Sequence, residues 1–419
     1  MKTIYIETNG CAVLRHETYK IAKYFELNGY TQIANASEAD VLFYTGCGVV
    51  DTTENYAIES IRRMLKVKKK EAKMFISGCI PVISKDKLSI SDENTFILKY
   101  NELSKLDKIF SFNISIDDVD FNCAPNRHHS FGDPEIVFNQ DEIDDELCVK
   151  RLGNIFHTVA PYNQFVYSTR GRHLWRESDL FEIRVAYGCE GNCSYCATKL
   201  AIGKFRSINE NRILEQVKLA IKEKYMRIML MGDEIGYWQE EDKNIVDLIK
   251  DIHELAPDMK IGIRYISPDI ITKYYKKLER YFAEGVIYYF CAAFQSGSPK
   301  ILRLMNRNPD IGPFIECMED IEKKKYPVMK HSQIIVGFPG ETDEDVLQTL
   351  LCLYKAAFDH VTITKFCPRK GTKAYEYPVP PESETEKHYE LLSYWLKCNR
   401  EGKIYRSIRN GVILNNYDN

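Results

Sequence analysis

Three cysteines on one short loop constrain this chain more than any other feature. Residues Val185 to Cys196 read VAYGCEGNCSYC, which sets Cys189, Cys193 and Cys196 in a C-x3-C-x2-C spacing. The run before them, FEIRVAYG, is apolar, aromatic and β-branched and closes on Gly188, the pattern of a buried strand. The cysteines therefore sit on a loop at a strand's end, where three thiolates can meet on one small centre. Iron–sulfur clusters are usually held by four thiolates. Three from one loop cover three irons of a [4Fe–4S] cube and leave the fourth open to a substrate or cofactor. Zinc usually takes four tetrahedral ligands, and no second C-x2-C pair or nearby His completes such a set. A C-x2-C redox motif leaves Cys189 without a part. Three buried structural cysteines are the remaining reading.

The chain has 419 residues, enough for two or three domains, and 44% of them are hydrophobic, enough for sizeable cores. A formal net charge of −3 gives no global basic footprint for nucleic acid. The 13 cysteines are odd in number and form no paired framework, and the start, MKTIYIETNGC, reads as a strand rather than a signal peptide. Both point to reduced thiols and the cytoplasm. No apolar run is long enough for a membrane span.

From 1 to about 112, strands alternate with helices. KTIYIE, DVLFYTG, KMFISG and TFILKY read as strands, and ETYKIAKYFELNG and the stretch from Asp51 to about Lys68 as helices. That alternation predicts a doubly wound parallel sheet. Cys11, Cys47 and Cys79 each follow a strand. In an open parallel sheet the carboxyl ends of strands line the binding crevice, so three thiols there are the right type and number to hold a second cluster. Three unrelated buried cysteines are the plainer alternative. The basic run Arg62 to Lys73 is a solvated helix end or an RNA-backbone contact.

These segments carry a resemblance. The loop at Cys189 looks like the cluster loop of radical S-adenosylmethionine (SAM) enzymes. TNGC, TGCGVVDTTENYAIESI and SGCIPV resemble the three cysteine segments of the radical SAM methylthiotransferases, and FQSGSPKILRLMNR, SQIIVGFPGETDED and FCPRKGTKA resemble that family's later motifs. The resemblance covers roughly 1–110 and 180–380.

The region 179–380 fits it. Six strands end near Gly188, Met231, Tyr265, Phe294, Gly337 and Phe366, with helices at about 208–223, 242–256, 268–282, 310–325 and 343–355. This predicts a partial (β/α)6 TIM-like barrel with its chemistry at the strands' C-terminal ends. There stand Gly232-Asp233-Glu234, whose carboxylates can accept hydrogen bonds from an ammonium, and Ser267, a helix N-cap or a ribose contact. Gln295, beside Ser298 as a helix N-cap, Val336, and Arg369, a carboxylate holder or a surface ion pair, stand there too. The resemblance implies that Gly232 to Glu234 meet the SAM amino group, that Gln295 and Val336 border SAM, and that the backbone of Tyr195 meets the adenine. Arg206-Ser207 keeps part of the family's post-cluster pattern. Lys199, Ile202-Gly203 and Gln333 depart from it.

Between the two regions, 113–178 is a connector or insertion, longer than the family's, with an acidic run at Asp141 to Glu146 and a basic, aromatic one at Tyr167 to Arg176. Cys123, His128, His129 and Cys148 within it show no ligand spacing. A polar helix from about Ser383 to Lys397 opens the last segment, 381–419, which has no room for the small β-barrel, the TRAM domain, found in relatives that act on tRNA or a ribosomal protein.

The resemblance implies two [4Fe–4S] clusters, one on Cys189, Cys193 and Cys196 and one on Cys11, Cys47 and Cys79, with SAM as cosubstrate. A 5′-deoxyadenosyl radical would remove hydrogen from an unactivated carbon, and a methylthio group would take its place. It implies a sulfide source and an electron donor such as a flavodoxin or ferredoxin, and no membrane. The expected substrate is a peptide or small protein, such as a natural-product precursor, with tRNA as the alternative. A sulfur-inserting or thioether-forming enzyme without methyl transfer, or a non-enzymatic iron–sulfur protein, are the other classes to separate.

Overall fold

A computed structural model describes residues 2–88, 90–119 and 180–409. Most of the connector, with Cys123, His128, His129 and Cys148, lies outside the described residues. The chain forms two compact units: Met1–Gly191 with Cys196–Arg264 and Arg369–Thr372, and Asn192–Tyr195 with Tyr265–Pro368 and Lys373–Asn419.

The first unit begins with β1 (Lys2–Thr8), α1 (Ala12–Leu27), β2 (Tyr30–Gln32), β3 (Val41–Gly46), α2 (Asp51–Val67), β4 (Lys73–Gly78), the single turn α3 (Ile80–Ile83), β5 (Thr95–Ile97) and α4 (Lys105–Phe110). The strands pair in parallel in the order β2-β1-β3-β4-β5. Successive side chains of a strand point to opposite faces, and this alternation divides the apolar residues between two cores. Ile4, Ile6, Phe43 and Phe75 pack with Phe25 of α1 and Leu106 of α4. Tyr5, Leu42, Tyr44, Met74 and Ile76 pack with Ala57, Ile61 and Met64 of α2. Each fully buried side chain of this size stabilises the unit by about 1.5–3 kcal/mol. A sheet covered on both faces is the doubly wound arrangement expected from the sequence. Two details differ from that expectation. Helix α1 begins at Ala12 because Val13 and Leu14 are already buried. Strand β2 is only three residues long, too short to leave an alternating pattern.

The unit continues with β6 (Leu180–Arg184), β7 (Ala186–Tyr187), α5 (Thr198–Ile202), β8 (Arg206–Ser207), α6 (Glu210–Lys222), β9 (Arg227–Met231), the short ladder β10 (Gln239–Glu240) and β11 (Lys243–Asn244), α7 (Ile245–Leu255) and β12 (Lys260–Ile263). Strand β9 pairs in parallel with both β6 and β12, and β7 pairs antiparallel with β8 across the cluster loop.

The second unit holds α8 (Pro268–Ala283), β13 (Ile287–Cys291), α9 (Pro299–Leu304), α10 (Gly312–Lys324), β14 (Met329–Val336), α11 (Asp343–Ala356), β15 (His360–Lys365) and α12 (Glu382–Arg409). Strand β14 pairs in parallel with β13 and β15. Helix α12 runs twelve residues past the expected end at Lys397. The added stretch is rich in Lys, Arg and Glu, good helix formers, and its one glycine does not stop it. Among the described residues, no helix is long and apolar enough to cross a membrane.

Helix α12 is fixed by His388. Its Nδ1 lies 3.0 Å from Glu341 Oε2 and its Nε2 3.0 Å from Asp343 Oδ1. Glu341 also accepts the Gly337 N–H at 2.7 Å, so one carboxylate joins the helix to the turn after β14. The bond to Glu341, joined by Asp343 and opposed by burial, raises the His388 pKa. A raised folded-state value means that the stabilisation is complete below the unfolded value near pH 6.5 and fades as pH rises through the folded one. The urea midpoint of the wild type should therefore exceed that of His388→Gln most below that pH, and the gap should narrow on the alkaline side. A gap that grows with pH would contradict this.

Candidate functional site

The N-terminal cysteines stand at three strand ends. Cys11 precedes α1, Cys47 follows β3, and Cys79 follows β4. The strand ends are tied together by short polar bonds. Asn9 accepts the Cys47 N–H at 3.0 Å and donates to Thr53 O at 2.7 Å. Thr8 donates to Thr45 O at 2.9 Å, and the Cys79 N–H reaches Gly46 O at 2.8 Å. Gly46 and Gly78 face each other in the ladder. Gly78 has φ +90°, and a Cβ there would stand 2.7 Å from Gly46 O. Only glycine lets the two strand ends close to this distance.

Cys47 and Cys79 are buried and Cys11 is exposed. Burial pushes the Cys47 thiol up to about 11, and Cys11 adds to the shift. Cys79 is pushed well above the thiol value by burial first, then by Cys47, Cys11, Asp233 and Cys196. These four groups therefore lie within electrostatic reach of Cys79. As thiolates they would repel in a dry site unless a cationic centre joined them. Among the described residues, no three His, Cys, Asp or Glu side chains are spaced for a single metal ion. Three thiols at neighbouring strand ends are the donor type that an iron–sulfur cluster takes.

The loop of Cys189 is pinned from its own unit. Gly188, at φ +70°, would place a Cβ 2.5 Å from Lys204 O. The Gly191 N–H meets Cys189 Sγ at 3.2 Å, and Lys199 Nζ donates to Gly191 O at 2.7 Å. Lys199, a departure from the family pattern, thus holds the loop's turn.

Asp233 accepts the Gly188 N–H at 2.9 Å and faces Arg184 Nη2 at 3.3 Å. Burial raises its carboxyl pKa, against the pull of Arg184. Arg184 is wholly enclosed. It bonds Tyr100 Oη, lies 3.5 Å from Glu17, reaches Val13 O at 3.4 Å, and stacks 3.9 Å from the Tyr187 ring centre. Sequence reasoning missed this residue, although an arginine inside a buried apolar strand was itself the signal. Arg206, exposed, lies 4.2 Å from the same ring. Glu234 accepts the Gly236 N–H at 2.9 Å, and Gly232 leaves no room for a Cβ beside Ala186 O. The carboxylates expected to meet an ammonium therefore already hold partners within the chain.

Arg369 also belongs to this unit and is buried. It donates to Val49 O at 2.9 Å and to Glu54 at 2.8 Å, and pairs with Asp51 at 3.1 Å. It is a carboxylate holder, and the carboxylates are the chain's own, on the segment that follows Cys47.

In the second unit, Gln295 takes φ +68°, a conformation that is uncommon outside glycine. Its backbone bonds Gln333 O and the Ile335 N–H, each at 3.0 Å. Its Oε1 is buried with no hydrogen-bond partner among the described residues. An orphaned buried acceptor beside a strained backbone is what a ligand-contacting residue leaves when its ligand is not counted. Val336 is fully buried. Ser267 holds the N-cap position of α8 without a capping bond, whereas Ser298 caps α9, as expected.

Residues 183–353 match the model of the Radical SAM superfamily, and 3–98 match that of Uncharacterized protein family UPF0004. A probable threonylcarbamoyladenosine tRNA methylthiotransferase of Pyrococcus abyssi is 27% identical over 394 residues, 94% of this chain and 83% of that protein. A tRNA-2-methylthio-N(6)-dimethylallyladenosine synthase of Acetivibrio thermocellus is 24% identical over 427 residues, 98% of this chain and 81% of that one. Among solved structures, the radical SAM methyltransferase TsrM of Kitasatospora setae, with cobalamin and a [4Fe–4S] cluster bound, superposes with a TM-score of 0.55. It does so at 11% identity over 89% of this chain and 77% of that one, a likeness of fold alone. The expected α/β class holds, with an N-terminal parallel sheet and a radical SAM parallel-sheet domain.

Arg369→Ala takes from buried Glu54 one of its two cations, leaving Lys87, and should cost about 1.5–3 kcal/mol, read as a lower urea midpoint. Gly78→Ala should cost about 1–3 kcal/mol from strain at a positive φ. No loss at Gly78 would mean that the two strand ends need not approach so closely.

Proposed function

Because the chain belongs to the radical SAM methylthiotransferase family, we propose that it attaches a methylthio group to an adenosine of tRNA, in place of a hydrogen on an unactivated carbon. The observation that carries the two-cluster reading is the trio Cys11, Cys47 and Cys79 at three neighbouring strand ends, with Cys79 within electrostatic reach of Cys196. Cys189, Cys193 and Cys196 would hold the cluster that faces SAM, and Cys11, Cys47 and Cys79 the second. Gly232, Asp233, Glu234, Ser267, Gln295, Val336, Arg206 and the backbone of Tyr195 would line SAM. When bound, these groups supply one-electron cleavage of SAM, a sulfur atom and a methyl group.

The chain's own residues position and exclude water. Asn9, Gly46 and Gly78 bring the three strand ends together. Gly188 and Lys199 shape the turn that carries Cys189. Gln295 offers an unmatched acceptor, suited to a hydroxyl or amino donor. None of these has to move a proton.

The relatives named for tRNA align over nearly the whole chain, and this favours tRNA over a peptide. A net charge of −3 and the altered segment after the cluster loop are what favour a peptide. A cytoplasmic location, a sulfide source and a small electron donor belong to the same proposal.

Reconstituted protein with SAM, sulfide and dithionite should add a methylthio group to a nucleoside of unmodified tRNA, seen by mass spectrometry of the digest. Methylthiolation of peptides with tRNA left unchanged would overturn the substrate assignment. Cys47→Ala should bind about half the iron and lose methylthiolation, yet still cleave SAM. Undiminished iron in that variant would remove the second cluster.

A further inference from the structure

The end of α9 and the residues after it clasp the middle of the cluster loop, within the second unit. The Ser194 N–H donates to Met305 O at 2.9 Å, and its hydroxyl donates to Leu304 O at 2.7 Å. Asn306, at φ +54°, donates from Nδ2 to Asn192 O at 2.7 Å. Arg307 completes the clasp. Its Nη2 donates to Ala293 O at 2.7 Å, while its Nη1 stands 3.5 Å from Cys193 Sγ and 3.5 Å from Tyr195 Oη.

Arg307 is partly buried, and no carboxylate among the described residues pairs with it. Its partners are a carbonyl, a phenol and a thiol. Of these, the cysteine is the one that becomes an anion when it ligates iron. A guanidinium spreads its donors in a rigid fork, and anchoring one arm on Ala293 O fixes where the other arm points. That arm stands between Cys193 Sγ and Tyr195 Oη.

From this geometry we infer that Arg307 is a positioning residue for the cluster: it donates to the Cys193 sulfur, fixes that ligand, and raises the cluster's reduction potential. Donors to cluster sulfurs and nearby positive charge favour the reduced, more negative state. The inference rests on Cys193 being a cluster ligand, which the iron content of Cys193→Ala checks separately.

The test is a redox titration followed by electron paramagnetic resonance, without SAM. It uses the full chain carrying Cys47→Ala, so that one cluster titrates. Arg307→Gln and Arg307→Met should both load iron and show a potential below that of Arg307. A potential equal to the parent's in either loaded variant overturns the inference. So does weaker SAM binding in equilibrium dialysis at unchanged potential, which would assign the arginine to the SAM carboxylate instead. Should both neutral variants fold by circular dichroism but fail to load, Arg307→Lys decides. Iron uptake by Lys supports a required cation, and failure by Lys as well reduces the residue to packing and overturns the inference.

Discussion

A carboxylate and a guanidinium enclosed side by side, Asp233 and Arg184, organise the first unit. Asp233 stands at the end of β9 and takes the N–H of Gly188, the residue before the cluster loop's first cysteine. Arg184 ends β6 and reaches Val13 O, two residues past Cys11, together with Tyr100 and Glu17. Neither charge is tolerable alone in such a site. The pair therefore obliges the N-terminal sheet and the strands at 180–231 to keep one arrangement. Gly188 before Cys189 and Val13 after Cys11 are held by the same pair.

Most of the fold was legible because its signals are local. Apolar runs broken by Gly or Asn marked the strands, and helical periodicity marked α6, α7, α8, α10 and α11 within a few residues. What escaped was short or set by distant partners. Strand β2 exists because β1 offers it an edge, which no window of three residues reveals. The end of α12 rests on propensity without the apolar stripe that the eye looks for.

The site divides in the same way. The six cysteines stand out in the sequence because spacing and position after a strand are local signals, and the structure places Cys11, Cys47 and Cys79 after strands. The carboxylates Asp233 and Glu234 were read as open to a ligand, whereas each also serves the chain's own hydrogen bonds. Arg184 was passed over because its partners, Glu17, Tyr100 and Asp233, are scattered along the sequence. The unmatched Oε1 of Gln295 was invisible too, since an orphaned atom is defined by what surrounds it.

The bond between Arg369 and Glu54 joins residues 315 positions apart. The N-terminal sheet can form while the rest of the chain is still being synthesised, because domains fold from the N-terminus as they emerge. Until Arg369 has left the ribosome, Glu54 has Lys87 as its one cation partner among the described residues, and Val49 O lacks the donor it will have later. The segment after Cys47 therefore reaches its final shape only once Arg369 has emerged, more than three hundred residues after Glu54 and Val49.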